Sequence, residues 1–425
     1  MKQISFVSRM ISSASRVLNF IKPDMEMTQV QVTANRRYVI DVFRALTMFL
    51  MIFVNDLWSL REIPPWLGHV PSSVDGLGLA DVVFPMFLFI VGLSIPYAIF
   101  NRVKKGDSNA SIISHILVRS LALIIMGVYH VNLESYNREL AILPKPVWQI
   151  AITVGFFLVW LDFSNYKNPN VKKVCQRLGI VLLIALAAIY RGGTLDEPQW
   201  MRFHWWGILG LIGWGYLIVS LLFLWCKGNI NWLWVMFSAL LSFSIFEKLG
   251  WLEGIKFIRP YVWLIDNGAL PAICMAGVIV SIYFRDYFAK GKLVSFWSFL
   301  VSFAVGNIIL GLLTRPLWGI HKIGSSPSWV TLCIGISIFT FMLLIWLVEI
   351  QKKKEWFSWI KPAGTSTLTC YLLPYIHYGL LSLSGLTLPL FLRTGGIGIM
   401  KSLIYTLIII MLTGILEKFR IRLKI

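Results

Sequence analysis

About twelve apolar runs, each roughly 17 to 24 residues long, follow one another along this chain with only short polar links between them. A helix needs that length to cross a hydrocarbon core of about 30 Å. The runs fall near 39–58, 77–100, 111–131, 146–162, 174–190, 206–225, 231–248, 268–287, 293–314, 329–348, 365–383 and 398–416. In lipid every backbone N–H and C=O needs a partner within the membrane-spanning structure, and runs this long and continuous do not read as barrel strands. The expected fold class is therefore all-α: a polytopic integral membrane protein with about twelve (eleven to twelve) transmembrane helices.

Composition points the same way. With 57% hydrophobic residues, 14% charged residues and 19 Trp in 425 positions, the chain lacks the polar surface that a soluble globule of this size needs. A formal net charge of +19 raises the question of nucleic acid, but the basic residues are scattered through short loops, with no basic helix or stacking platform. Anionic membrane lipids and topology account for the charge instead. With the N-terminus placed in the cytoplasm, the cytoplasmic segments carry more than twice the Lys and Arg of the outer loops, including Lys352, Lys353 and Lys354 and the tail cations Lys418, Arg420, Arg422 and Lys424. Both termini are accordingly expected to be cytoplasmic. Residues 1–36 read as a basic cytoplasmic arm or interfacial helix, with Arg9, Arg16 and Lys22 among apolar positions, and 37–425 as the transmembrane domain. The five cysteines lie in or at the edges of the runs without a C-x-x-C pair, so neither a disulfide framework nor a metal site is indicated.

One stretch interrupts this pattern. Between Arg37 and Pro96, two membrane-length runs carry Asp41, Arg44, Asn55, Asp56 and Asp81, and the Gly- and Pro-bearing link between them holds His69. Charged groups in hydrocarbon cost several kcal/mol unless paired or hydrated, so such a cluster marks a functional region or a structural pairing. Of the six histidines, His69, His130, His204, His321 and His377 project to the outer half and only His115 to the inner face. The chemistry at His69 suits a general base: an imidazole accepts a proton near neutral pH, a carboxylate orients it, and an Asn donates to a developing oxyanion. The same groups could equally serve as interhelical glue or line a transport pathway.

The order of these residues is specific. RYVIDVFRALTMFLMIFVN, then His69 in the following loop, then GLGLADVVFPMFLFIVGLSI resembles the opening signature of the heparan-alpha-glucosaminide N-acetyltransferase family of polytopic membrane enzymes. Weaker echoes follow at Arg119 in VRSLALIIMGVYHVN, at Trp148-Gln149, at Asp266-Asn267-Gly268, at His321-Lys322 before SSPSWV and at Pro362-x-Gly364. Where family members often read L-Q-R-I-A, this chain reads W-Q-I-A and lacks the Arg. The resemblance implies an acetyl-CoA-dependent transmembrane acetyltransferase, acting on the amine or hydroxyl of an amino sugar. It makes His69 the catalytic histidine, as general base or transient acetyl carrier, with Asn55 and Asp81 beside it.

The sequence therefore sets out testable expectations. Arg44 and Arg119 are expected to bind the phosphates of acetyl-CoA from the cytoplasm, and Asp56, Asn132, Gln149, Asp266, His321 and Lys322 to bind the acceptor glycan; no metal is expected. The expected location is the inner membrane of a bacterium, with the His69 loop facing the periplasm, and a homodimer is compatible with the composition. The alternatives are a transporter or flippase for a glycan or lipid-linked sugar, and a non-catalytic assembly partner.

Overall fold

A computed structural model describes residues 35–164, 166, 168–258, 268–288 and 290–425. The arm 1–36 lies outside the described residues apart from the backbone of 35 and 36, and Asp266 lies outside them entirely. Twelve long helices appear in the described part: α1 (Asn35–Asp56), α2 (Leu79–Lys104), α3 (Asn109–Asn132), α4 (Lys145–Trp160), α5 (Pro169–Ala188), α6 (Ile208–Trp225), α7 (Ile230–Lys248), α8 (Ala269–Tyr283), α9 (Leu293–Trp318), α10 (Pro327–Ile345), α11 (Thr367–Ser384) and α12 (Gly395–Lys418). Each matches one expected run.

Nine of them are long and apolar enough to cross a membrane, α4, α5 and α11 being the exceptions among the twelve. The reasons are local. Helix α4 has only 16 residues, the first half of α5 carries Lys172, Lys173 and Arg177, and α11 holds Pro374 inside a Tyr-, Thr- and Ser-rich sequence.

Helix α8 forms the centre, with every residue from Ala269 to Ile282 buried. Small residues bring its neighbour close: a Cβ at Gly92 of α2 would collide with the carbonyl of Cys274, and one at Gly277 with that of Phe89. Between membrane helices, where lipid is as apolar as Leu, this close backbone approach supplies the packing energy. Gly127 of α3 meets Gly210 of α6 in the same way.

Loops at the helix ends pair in two sets, as alternate crossings require. On one side Gly76 donates to the Ile320 carbonyl (3.2 Å) and Arg61 pairs through its backbone with Arg393 and Gly395. On the other side, backbone bonds join Asp162 to Arg422 and Lys424 to Trp160 (both 2.8 Å). There Arg422 and Lys424 also flank the Asp162 carboxylate and, with the Ser164 bonds, outweigh its burial to hold the group down at about 2. The first set contains the His69 link and the second the tail cations.

Candidate active site

His69 sits in the 57–78 link, which folds back on itself because Gly68 and Gly78 touch: a Cβ at Gly78 would collide with the carbonyl of Gly68. Asp81 stands three residues into the start of α2, where a carboxylate stabilises the free N–H groups of a helix terminus. One of its oxygens accepts the N–H of Gly78 (3.1 Å) and of Val70 (3.0 Å). The other oxygen lies 2.7 Å from Nδ1 of His69. A carboxylate accepts only, so Nδ1 carries the hydrogen and Nε2 is left with its lone pair. The Asp81 side chain is 2% exposed and that of His69 is 53% exposed. The pair is thus a fixed anchor with an accessible base. Trp329, itself buried, donates from Nε1 to the Asp81 carbonyl (3.2 Å) and braces the helix start from α10.

A second loop, 319–326, closes over this pair. Asp75 ties it down by accepting from Nε of Arg315 (2.8 Å) and from the backbone N–H of Ile320 (2.7 Å). The Arg315 bond leads the causes that hold the Asp75 carboxyl below its usual range. Ser326 accepts from the N–H of His321 and donates to the Gly319 carbonyl, which shapes the turn. Lys322 is thereby delivered to the imidazole: its Nζ is 3.1 Å from Nδ1 and 3.4 Å from Nε2 of His69, and 3.8 Å from Asp81. Near-equal distances to both ring nitrogens place the ammonium over the ring face, in line with neither lone pair. Desolvation lowers the Lys322 pKa, with Asp81 acting in the opposite direction.

The other residues singled out from sequence divide into two groups. Asn55, at the end of α1, is exposed and makes no side-chain hydrogen bond to His69 or to any other described residue. His321 lies next to Lys322, with its Nδ1 buried and unbonded. Asp56, by contrast, is 3% exposed and already engaged: it receives Lys401 (2.6 Å) together with the hydroxyls of Tyr378 and Ser402. Asn132 is buried and clamps Arg202 through both ends of its amide. Gln149 donates to the Tyr375 carbonyl (2.7 Å), joining α4 to α11. In these three the side chains link helices and loops where the sequence suggested acceptor contacts.

Arg44 and Arg119 do come together. Both line a cavity of about 460 Å³ together with Lys424 and the Gly364–Leu368 segment, and Met48, Met51, Phe87 and Val91 line it further along α1 and α2 in the direction of the His69 link. Arg44 is oriented by Asp41 (2.8 Å) and Ser94 (2.8 Å), and the guanidinium of Arg119 lies over the Tyr216 ring, 5.0 Å from its centroid. The lining spans Ala98 to Phe87 on α2, about 16 Å at a rise of 1.5 Å per residue, and Asp81 is about 9 Å further along the same helix. The cavity therefore runs from its cationic end towards the His69 pair.

Sequence reasoning overlooked Asp75, Arg315, Tyr378 and Ser402. Lys401 gave the one usable signal, since a cation inside an apolar run requires a carboxylate partner. No group of three or more potential metal ligands occurs among the described residues.

Comparison with known proteins converges on the same segment. Residues 36–136 match the family described as heparan-alpha-glucosaminide N-acetyltransferase, catalytic. A Mus musculus heparan-alpha-glucosaminide N-acetyltransferase is 38% identical over 181 residues, which is 40% of this chain and 24% of that protein. The Homo sapiens protein of the same name is 34% identical over 170 residues, 38% of this chain and 23% of its own length. The matches thus span about a quarter of those relatives. Over residues 36–136, which contain His69, Asp81, Arg44 and Arg119, the chain is similar to the catalytic region of the heparan-alpha-glucosaminide N-acetyltransferase family.

Proposed function

We propose that this protein is a membrane-embedded acetyltransferase, taking the acetyl group of cytoplasmic acetyl-CoA and passing it to an amino sugar, such as a terminal glucosaminide, on the outer side. The observation that carries this reading is the buried Asp81 carboxylate holding Nδ1 of a half-exposed His69 within the family-matched segment. That arrangement leaves Nε2 free to take the proton of the attacking amine, as general base or, after attack on the thioester, as transient acetyl carrier. Asn55, exposed at the end of α1, lies two positions before the His69 link and is the amide donor assigned to the developing oxyanion.

The cavity supports the choice of donor. Arg44, Arg119 and Lys424 at its cationic end suit the phosphates of a nucleotide, and Met48, Met51, Phe87 and Val91 suit an uncharged thioester arm. The loop-charge bias orients this end to the cytoplasm and His69 to the periplasm of a bacterial inner membrane. Asn132, Gln149 and Asp56 shape the protein around the site, and His321 and Lys322 face the acceptor with His69.

Purified protein in detergent, given labelled acetyl-CoA and a panel of amino sugars, is expected to acetylate a terminal glucosamine, and His69→Ala is expected to abolish transfer while keeping the parent's melting behaviour. A variant without His69 that transfers at the parent rate removes the histidine from the reaction. Absence of transfer to every acceptor tested refutes the donor and acceptor together.

A further inference from the structure

Lys322 occupies a position that its surroundings do not explain as a structural ion pair. Its ammonium has three N–H donors, yet no oxygen acceptor lies within hydrogen-bond distance of it among the described residues. The Asp81 carboxylate is 3.8 Å away and is already committed to His69, Val70 and Gly78. A lysine placed only to neutralise Asp81 would close that gap. Instead, a loop fastened by Asp75, Arg315 and Ser326 holds Nζ over the imidazole face, 3.4 Å from the nitrogen that acts as base.

On the reading that His69 is the base in acetyl transfer, we propose that Lys322 is the electrophilic catalytic residue, donating an N–H to the thioester carbonyl oxygen as it becomes an oxyanion. The acceptor amine attacks the carbonyl carbon and forms the C–N bond, and the displaced C=O electron pair moves onto the oxygen held by Lys322. His69 Nε2 takes the amine proton. Collapse restores C=O, breaks the C–S bond and returns the proton from Nε2–H to the leaving thiolate, giving amide and thiol. A base and a donor that both lie about 3 Å from one reacting centre are what this step requires. The partly desolvated surroundings of Lys322, 29% exposed at the side chain, strengthen such a contact relative to water.

Removing one oxyanion donor typically lowers turnover by about 10²- to 10³-fold. Lys322→Met is expected to lose that much kcat with donor affinity within about twofold of the parent, and Lys322→Gln, which keeps an uncharged N–H, is expected to fall between the two. A second readout needs neither acetyl-CoA nor sugar: cleavage of p-nitrophenyl acetate, measured as the part lost in His69→Ala, should drop at least about tenfold in Lys322→Met. Amine transfer absent in the parent but ester cleavage dependent on both residues would uphold Lys322 and overturn the donor and acceptor assignment. Undiminished ester cleavage in a folded Lys322→Met, loss confined to the acceptor KM, or no His69-dependent cleavage by the parent each overturns the role of Lys322.

Discussion

Replacing Asp81 with Asn tests the site most directly, because the change keeps shape and removes only the charge. The Asn carbonyl oxygen can take over the position that accepts Val70 and Gly78, which turns the amide NH2 towards Nδ1 of His69. Nδ1 must then accept, the ring proton moves to Nε2, and the base is lost. In a Ser-His-Asp site the equivalent exchange costs about 10⁴-fold in turnover, roughly 5 kcal/mol. The imidazole here is 53% exposed, so water can compete for Nδ1 and restore part of the productive tautomer. We therefore expect a kcat loss of about 10²- to 10³-fold, or about 3 to 4 kcal/mol, with little change in melting. Asp81→Ala differs, since it strands the buried Gly78 N–H and the half-buried Val70 N–H at about 1 to 3 kcal/mol each. It should lower stability by roughly 2 to 4 kcal/mol as well as activity. Acetyl transfer from labelled acetyl-CoA, measured beside thermal unfolding in one detergent, separates the two effects. Asp81→Asn with turnover within about threefold of the parent, or with the same destabilisation as Ala, would show that the carboxylate does not set the tautomer.

Three further expectations follow from the same contacts. Arg44→Gln and Arg119→Gln should each weaken acetyl-CoA about ten- to a hundredfold while sparing the acceptor, the worth of one charge-assisted phosphate bond; donors lacking the nucleotide phosphates should lose less, and an equal loss would mark both arginines as structural. Asp56→Ala should destabilise the protein by about 3 to 5 kcal/mol, because Lys401 is left without its carboxylate inside the helix bundle, and Asp56→Ala/Lys401→Met should recover much of that in thermal unfolding; no recovery would refute the pairing as the cause. A cysteine at exposed Ser72 should react with an impermeant thiol reagent on intact cells, and labelling only after lysis would reverse the orientation.

Much of this protein is determined locally. Twelve runs of membrane length become twelve helices because an apolar stretch can satisfy its backbone only within itself. The Asp81–His69 pair was also legible, since a carboxylate in the first turn of a helix binds the backbone just before it and the histidine lies twelve positions upstream. Sequence could not say which polar residues were already engaged. Asp56 looked as available as Asp81, yet its partners Tyr378, Lys401 and Ser402 lie more than 300 positions away. Asn132 and Gln149 likewise spend their amides on distant backbone. Lys322 reaches His69 across 253 positions, and the fastening of two loops through Asp75 and Gly76 brings them together. A residue's type and its local run set where it sits in the membrane. Whether its hydrogen-bonding groups stay open to a substrate depends on neighbours that only the packed helices supply.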